Sequence, residues 1–301
     1  MSGGRFIIKV YGAGELVPAL GVQEAVESGT AELYHSSGSY FAGRDIAHSF
    51  FCVVPFGADV NEFNAWLRYG GGQALWDELT EPRGFKCFTG GGSGIQTAGW
   101  FNREINSLSD LQGLNFRITG LGALVMKKLG VNPVSMAPGD IFPALQSGAL
   151  DGAEWVGPTN DLAFGFHKVL NNMYVPSFSD IHGGTEWGVN SQAFEKLPAE
   201  FQLILTTAME AETGLLTDYN FYSNIESLDK LRAAGVNIDT FPDDVWDGLR
   251  TASHEVMEEI RDSSELVARI HDSFFNFTGQ AVDYRKLYDQ KLYAERAKYF
   301  A

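Results

Sequence analysis

Cysteine is scarce in this chain of 301 residues. Cys52 and Cys87 are the only two; neither belongs to a CxxC pair, and each sits in an apolar or aromatic setting, FFCVV and FKCF. Two buried thiols are therefore expected rather than a metal knot, with their pairing left open. Positive charge is also in short supply. The 22 Lys and Arg face 38 Asp and Glu, a formal net charge of -16, which opposes any sequence-independent grip on nucleic acid or on anionic lipid headgroups. The acids are scattered, so they read as a solvated surface and carry no functional argument alone. No apolar run approaches the roughly 20 residues that a membrane-spanning helix needs. The start, MSGGRFIIKVY, has neither the basic opening nor the apolar core of a signal peptide.

The usual signatures of catalysis are missing as well. There is no GxSxG elbow, no P-loop, no HExxH and no GxGxxG placed after a strand. The glycines from Gly90 to Gly94 run into IQTAGWF, which suits a tight turn beside the strand carrying Gln96 better than a phosphate cradle. His35, His48, His167, His182, His254 and His271 lack ligand spacing, so a zinc site is not indicated.

What is present is a chain longer than a single hydrophobic core usually supports, with 45% hydrophobic and 20% charged residues, so two lobes are expected. Phe6 to Tyr11 (FIIKVY) predicts a strand, and ALGVQEAVESGTAELYH predicts a helix returning to a strand in parallel α/β style. Residues from about 115 to 156 alternate strand and helix three times: NFRIT, then LGALVMKKLG, VNPVSM, a helix begun at Pro138-Gly139 with Asp140 as its cap, and ALDGAEWV. From about Pro198 the pattern changes to long amphipathic helices. The last of them places Tyr284, Leu287, Tyr288, Leu292 and Tyr293 along one side, a stripe that predicts packing against the chain's own body or a second subunit. No linker separates the lobes, which favours a hinged clamshell crossed more than once by the chain.

Arg117 stands at the end of the NFRIT strand, just before Gly120 and Gly122, where backbone can approach closely. A guanidinium fork there suits a carboxylate, because two parallel charge-assisted bonds fix orientation as well as adding energy. The plainer alternative is a solvent-facing arginine. Glu154-Trp155 ends the third strand of the same unit, and ligands of open α/β sheets bind at such strand ends. Glu154 is either a salt-bridge partner of Arg117 or one ligand of a hard cation, which would reconcile an acid with a bound anion.

The segments FRITGLGALVMKKLG and VNPVSMAPGDIFPALQSGALDGAEWVGP closely resemble the periplasmic solute-binding proteins of TRAP transporters, in the branch that binds 2-oxo acids and lactate through a metal ion. The likeness extends to FIIKVYGAGELVPALGVQEAV, AWLRYGGGQALWDEL and GIQTAGWFNREINSLSDLQGL. It implies a two-lobe α/β clamshell with long C-terminal helices. Residues 1–98 with about 200–250 would form the first lobe, 99–199 the second, anion-anchoring lobe, and 251–301 helices packing across the lobes or onto a dimer partner. It implies that Arg117 holds the substrate carboxylate and that Gln96, Glu154, Asp180 and the carbonyl of Trp155 hold a sodium or calcium ion. Gln96, Trp155 and Asp180 would also face the substrate, and Tyr40 would close over it from the other lobe. The segment VPSFSDIHGGTEWGVN, which carries Asp180, His182 and Trp187, departs from the family pattern. Family members carry a strand and helix ahead of the SGGR segment, so the first lobe is expected to lack both and to expose apolar surface. The implied partners are a small organic anion, TRAP membrane subunits and a second copy joined through the C-terminal helices; the implied place is the periplasm. The competing readings are a metal-dependent enzyme acting on an oxo acid, with Glu154 or Asp180 as base, and a sensor ectodomain.

Overall fold

The structure, a computed structural model, describes residues 1–301. The chain enters through an extended segment and reaches α1 (Val22–Glu27) and β1 (Leu33–Ser36), then α2 (Val60–Tyr69), α3 (Gly72–Thr80) and β2 (Phe85–Gly92). A compact alternating unit follows: β3 (Gly99–Phe101), β4 (Asn115–Arg117), α4 (Gly120–Lys128), β5 (Asn132–Val134), α5 (Pro138–Gln146), β6 (Gly152–Ala153), α6 (Pro158–Phe164) and β7 (Asn172–Tyr174). The chain continues with β8 (Gly184–Asn190), α7 (Ser191–Lys196), the long α8 (Ala199–Ala233), β9 (Asn237–Asp239), α9 (Asp243–Arg261) and α10 (Glu265–Phe300).

The strands form two sheets. One has the order β1-β8-β2 and is antiparallel throughout; the other has the order β5-β4-β6-β3-β7-β9. In the second, β4 pairs parallel with both β5 and β6, as the strand-helix alternation over 115–156 predicts. Several expectations shift. β1 pairs antiparallel with β8, not parallel with a neighbour in sequence. β8, expected in the lobe of residues 99–199, joins the three-stranded sheet, and β9, expected with the first lobe, closes the six-stranded one. Asp140 does not cap α5: the cap position is Ala137, Pro138 opens the helix, and Asp140 sits in its acidic first turn. Proline there forgoes no backbone bond, since that N–H would be unpaired anyway.

Phe6 to Tyr11 is not a strand. Its backbone forms no ladder, and Ile7, Ile8, Val10 and Tyr11 are exposed, although Phe6 stacks on Phe201 at 5.2 Å. β propensity needs a neighbouring backbone to become a strand, and β1 likewise keeps one free edge.

The core runs between the sheets and takes in the start of α10. Phe51 stacks on Trp76 at 4.7 Å and on Trp66 at 5.6 Å, and Phe274 of α10 meets Trp66 edge-on at 5.1 Å. α9 packs on α4 beneath the second sheet, while α10 packs on α2 and α3 beside the first, so the terminal helices bridge both halves. Arg285 pins the middle of α10 to Asp59 and Glu62 at the start of α2. Beyond that anchor the helix leaves the body. Tyr284, Leu287, Tyr288, Leu292 and Tyr293 are all exposed in the single chain. Cys52 and Cys87 are both buried and free, as their surroundings suggest. No helix is long and apolar enough to cross a membrane.

Candidate functional site

Arg117 ends β4, which lies between β5 and β6 in the second sheet, and burial there removes the alternative of a solvent-facing arginine: its exposure is 1%. The backbone stitches the surrounding loops together. Glu154 N donates to Arg117 O at 2.9 Å, Gln96 N donates to Asp180 O at 2.9 Å, and Thr97 N donates to Val156 O at 3.0 Å. Four chain segments distant in sequence therefore meet at one strand end, where an open α/β sheet places its ligand.

Close approach across the cleft depends on two glycines. At Gly120 (φ 60°) a Cβ would lie 2.9 Å from Val53 and 3.1 Å from Ser39, both on the opposite side; at Gly122 it would lie 2.9 Å from Ser179 Oγ. Thr119 Oγ1 donates to Ser39 Oγ at 3.2 Å, and Arg117 Nη2 donates to Tyr40 Oη at 3.3 Å. Tyr40 thus reaches Arg117 from the far side, and the two halves are in contact here.

The guanidinium is half used. Nη1 donates to Glu154 O at 2.6 Å and to Glu154 Oε2 at 2.9 Å. Nε has no partner, and Nη2 has only Tyr40. The Nε–Nη2 edge is the one that receives a carboxylate side-on through two parallel bonds. The plane of the group is held by the Trp155 ring, whose centroid lies 5.2 Å from Arg117 Cζ. Of the two readings of Glu154, the salt bridge to Arg117 is present, and the carboxylate also lies against the Gln96 amide.

The Gln96 amide joins these groups. With its nitrogen inward it donates to the Trp155 carbonyl and to Glu154 Oε1, each at 3.0 Å, while its oxygen accepts from Ser93 Oγ at 2.7 Å. Turned over, it presents its oxygen to the same space and its nitrogen donates to Ser93 Oγ. The amide can therefore serve either state: nitrogen inward when the pocket holds no cation, oxygen inward when it does. Asp180 completes the acidic side, buried and accepting from Ser179 Oγ at 2.6 Å. No three His, Cys, Asp or Glu side chains converge here; the set is two carboxylates, an amide oxygen and a backbone carbonyl, all hard donors of the kind that suit sodium or calcium.

Electrostatics points the same way. Burial, reinforced by the charge of Asp180, pushes Glu154 well above the ordinary carboxylate range despite the opposing pull of Arg117. Burial likewise raises Asp180 to about 6, against the lowering effects of Ser179 and Arg117. Two buried carboxylates share one arginine, so the pocket is short of positive charge before any anion arrives.

Comparison with known proteins shows the family. The model of the bacterial extracellular solute-binding proteins, family 7 (DctP), matches residues 1–263. The chain belongs to that family. A monocarboxylate 2-oxoacid-binding periplasmic protein of Nostoc sp. is 37% identical over 281 residues, covering 93% of this chain and 77% of the relative. A TRAP transporter solute-binding protein from Bordetella bronchiseptica, solved as a mixed-occupancy dimer with copurified calcium and picolinate in one site, superposes with a TM-score of 0.96 at 32% identity, over 99% of this chain and 89% of that one. A TRAP periplasmic solute-binding protein from Pseudoalteromonas atlantica, solved with sodium and pyruvate, gives a TM-score of 0.89 at 35% identity, over 92% and 84%. The family 7 chain is thus a TRAP solute-binding protein with the two-lobe fold.

Of the residues singled out in the sequence, Arg117, Gln96, Glu154, Trp155, Asp180 and Tyr40 converge. His182 does not join them, stacking instead on Phe63 at 4.0 Å; Trp187 lies against His35 at 4.2 Å in the three-stranded sheet and lines the wider cavity without meeting the cluster. The sequence reading missed Ser39, Ser93 and Thr119, small polar residues with no motif of their own. It also missed Leu216 and Asn220 of α8, which line the same cavity from a helix about 100 residues further along the chain.

Proposed function

We propose that this TRAP solute-binding protein captures a small 2-oxo or 2-hydroxy monocarboxylate together with a sodium or calcium ion, in the periplasm, for delivery to membrane subunits. The free Nε–Nη2 edge of Arg117, set beside four hard oxygen donors, is the observation that carries this reading. Arg117 would take the carboxylate, Tyr40 would close over it, and Gln96, Glu154, Asp180 and the Trp155 carbonyl would hold the cation. The cation supplies the positive charge that the pocket lacks and a contact for the oxygen next to the carboxylate. Calcium would cancel the residual charge of two carboxylates, one guanidinium and an anion; sodium would leave one negative charge.

The size of the ligand sets the demand on the site. At a ceiling of about 1.5 kcal/mol per heavy atom, a pyruvate-sized anion of about six atoms reaches roughly 9 kcal/mol, which permits a sub-micromolar dissociation constant only with near-ideal contacts. A cation and an arginine together meet that demand better than an arginine alone. The related proteins solved with pyruvate and sodium, or picolinate and calcium, support the pairing.

Calorimetric titration with pyruvate, lactate and a dicarboxylate, before and after chelation and in sodium-free buffer, tests the proposal. Tight monocarboxylate binding that weakens on removing the cation is expected. Preference for the dicarboxylate, or indifference to every cation, would overturn it, and turnover of the acid would return the enzyme reading. The exposed stripe from Tyr284 to Tyr293 is proposed to pair two copies, supported by the dimer formed by the Bordetella relative; light scattering that shows only monomer counts against this.

A further inference from the structure

One side chain in the cleft has no task in the scheme above. α8 crosses from one half of the molecule to the other. Near its middle Thr213 Oγ1 donates to Thr89 O at 3.0 Å and Leu216 lies close against Gly91, both contacts to β2. Further along, Asn224 Oδ1 accepts from Thr159 N at 3.0 Å beside Gly157, and Thr159 Oγ1 donates to Ser227 Oγ at 3.2 Å, both contacts to the start of α6. Residues 216, 220 and 224 share one helix face. Asn220 therefore stands where that face passes over the cleft, four residues from a contact on either side, and it lines the same cavity as Arg117, Glu154 and Trp155.

Asn220 is 7% exposed, and its side-chain amide has no hydrogen-bond partner in the chain; only its backbone carbonyl takes part, accepting from Ser223. An amide offers one acceptor and two donors, and here the protein engages none of them, so a ligand oxygen can pair with it without displacing an internal hydrogen bond. The cavity around it is also larger than a three-carbon acid requires. Its volume is about 1060 Å³, running on from the cleft toward the segment of residues 6–20. An unpartnered amide facing that space is suited to an oxygen on the ligand, away from the carboxylate held by Arg117.

We infer that Asn220 is a specificity-determining residue, reading a hydroxyl or carbonyl group carried by the substrate beyond its 2-oxo or 2-hydroxy carboxylate end. This rests on the carboxylate-and-cation reading and narrows its substrate class to monocarboxylates with a polar tail. The test compares 3-hydroxypyruvate with 2-oxobutyrate, which differ only by a terminal hydroxyl in place of a methyl group, with pyruvate as reference. All are titrated calorimetrically into the full chain with calcium present. The native protein is expected to bind the hydroxylated acid at least about tenfold more tightly than the methyl analogue. Asn220→Leu should remove that preference, keep pyruvate affinity within about threefold and leave the melting temperature unchanged or raised, because no internal hydrogen bond is lost. Asn220→Ser, smaller and still polar, covers the case in which leucine does not fit. If pyruvate binds but the ratio of the two analogues is the same in native and substituted protein, the inference is wrong. A marked drop in melting temperature in both variants would make Asn220 structural and overturn it equally. If none of the three acids binds the native protein, the substrate reading falls first and the role of Asn220 with it.

Discussion

Glu154 and Asp161 lie seven residues apart, are both fully buried, and live in opposite circumstances. Asp161 is surrounded by donors: Trp100 Nε1 at 2.8 Å, Thr97 Oγ1 at 3.0 Å and Val156 N at 3.3 Å all give it hydrogen bonds. Burial still raises it to about 6, but every bond opposes that rise. Glu154 accepts from Arg117, stands beside the Gln96 amide, which can turn its nitrogen or its oxygen inward, and feels the charge of Asp180. A buried acid ringed by fixed donors holds the fold together; one set beside a second carboxylate and a reversible amide has room for a cation. Glu186, in the three-stranded sheet, is intermediate. Tyr34 Oη donates to its Oε1 at 2.5 Å, while Oε2 has no partner.

The largest effect should come from the arginine that both carboxylates of the cleft depend on. Arg117→Ala removes two charge-assisted bonds to the ligand, each worth about 1.5–3 kcal/mol, so anion affinity should fall by about three orders of magnitude in a calorimetric titration. Arg117→Lys keeps the charge and loses the fork, and should recover only part of it.

The two acids themselves can be separated next. Glu154→Gln should cost about 100-fold in calcium-supported anion affinity while leaving the apo protein nearly as heat-stable as before, since an amide oxygen still accepts from Arg117 Nη1 and burial already opposes the charge of Glu154. Asp161→Asn should do the reverse. Losing charge-assisted bonds in the core should cost about 2 kcal/mol at pH 8, a fall of about 5 °C in melting temperature, with anion affinity within a few-fold of native. If both variants lose binding and stability together, the contrast between them is false.

The smallest effect belongs to Glu186 and is a matter of pH. Burial raises it from an ordinary carboxylate value to about 7, against the lowering influence of Tyr34 and Arg83. A group whose folded pKa lies above its unfolded value contributes stability in full below about 4.5, and that contribution is lost as pH rises through about 7. Glu186→Gln stays neutral throughout, so its stability should decline less than that of the native chain between pH 5 and pH 8. The difference should be about 2 kcal/mol, read from denaturant midpoints at the two pH values. Identical slopes would mean that Glu186 is charged at no such cost.

Much of this site was legible because its parts are local. Arg117, Gly120, Glu154 and Trp155 belong to one strand-helix-strand-helix-strand run, in which short connections and parallel pairing leave little freedom of arrangement. Gln96, Tyr40 and Asp180 were placed through family likeness, not spacing. Nothing in the residues around them signals that loops 84 residues apart, at 96 and 180, share a backbone hydrogen bond. Asn220 carried no signal in the sequence at all: on a long helix with apolar and polar residues on every side, an asparagine reads as surface.

The sequence by itself determined the alternating unit from 115 to 156, the terminal helices and the strand-end arginine, because helical periodicity and tight returns are properties of neighbouring residues. It could not determine what Phe6 to Tyr11 would become, since a strand exists only when another backbone lies alongside it. Only the tertiary structure decided that β8 and β9 change sheets, that Arg117 keeps one edge free, and that the Gln96 amide, Glu154 and the Trp155 carbonyl meet beside it. Those outcomes depend on which distant segments are brought within 3 Å, and no local pattern encodes that distance.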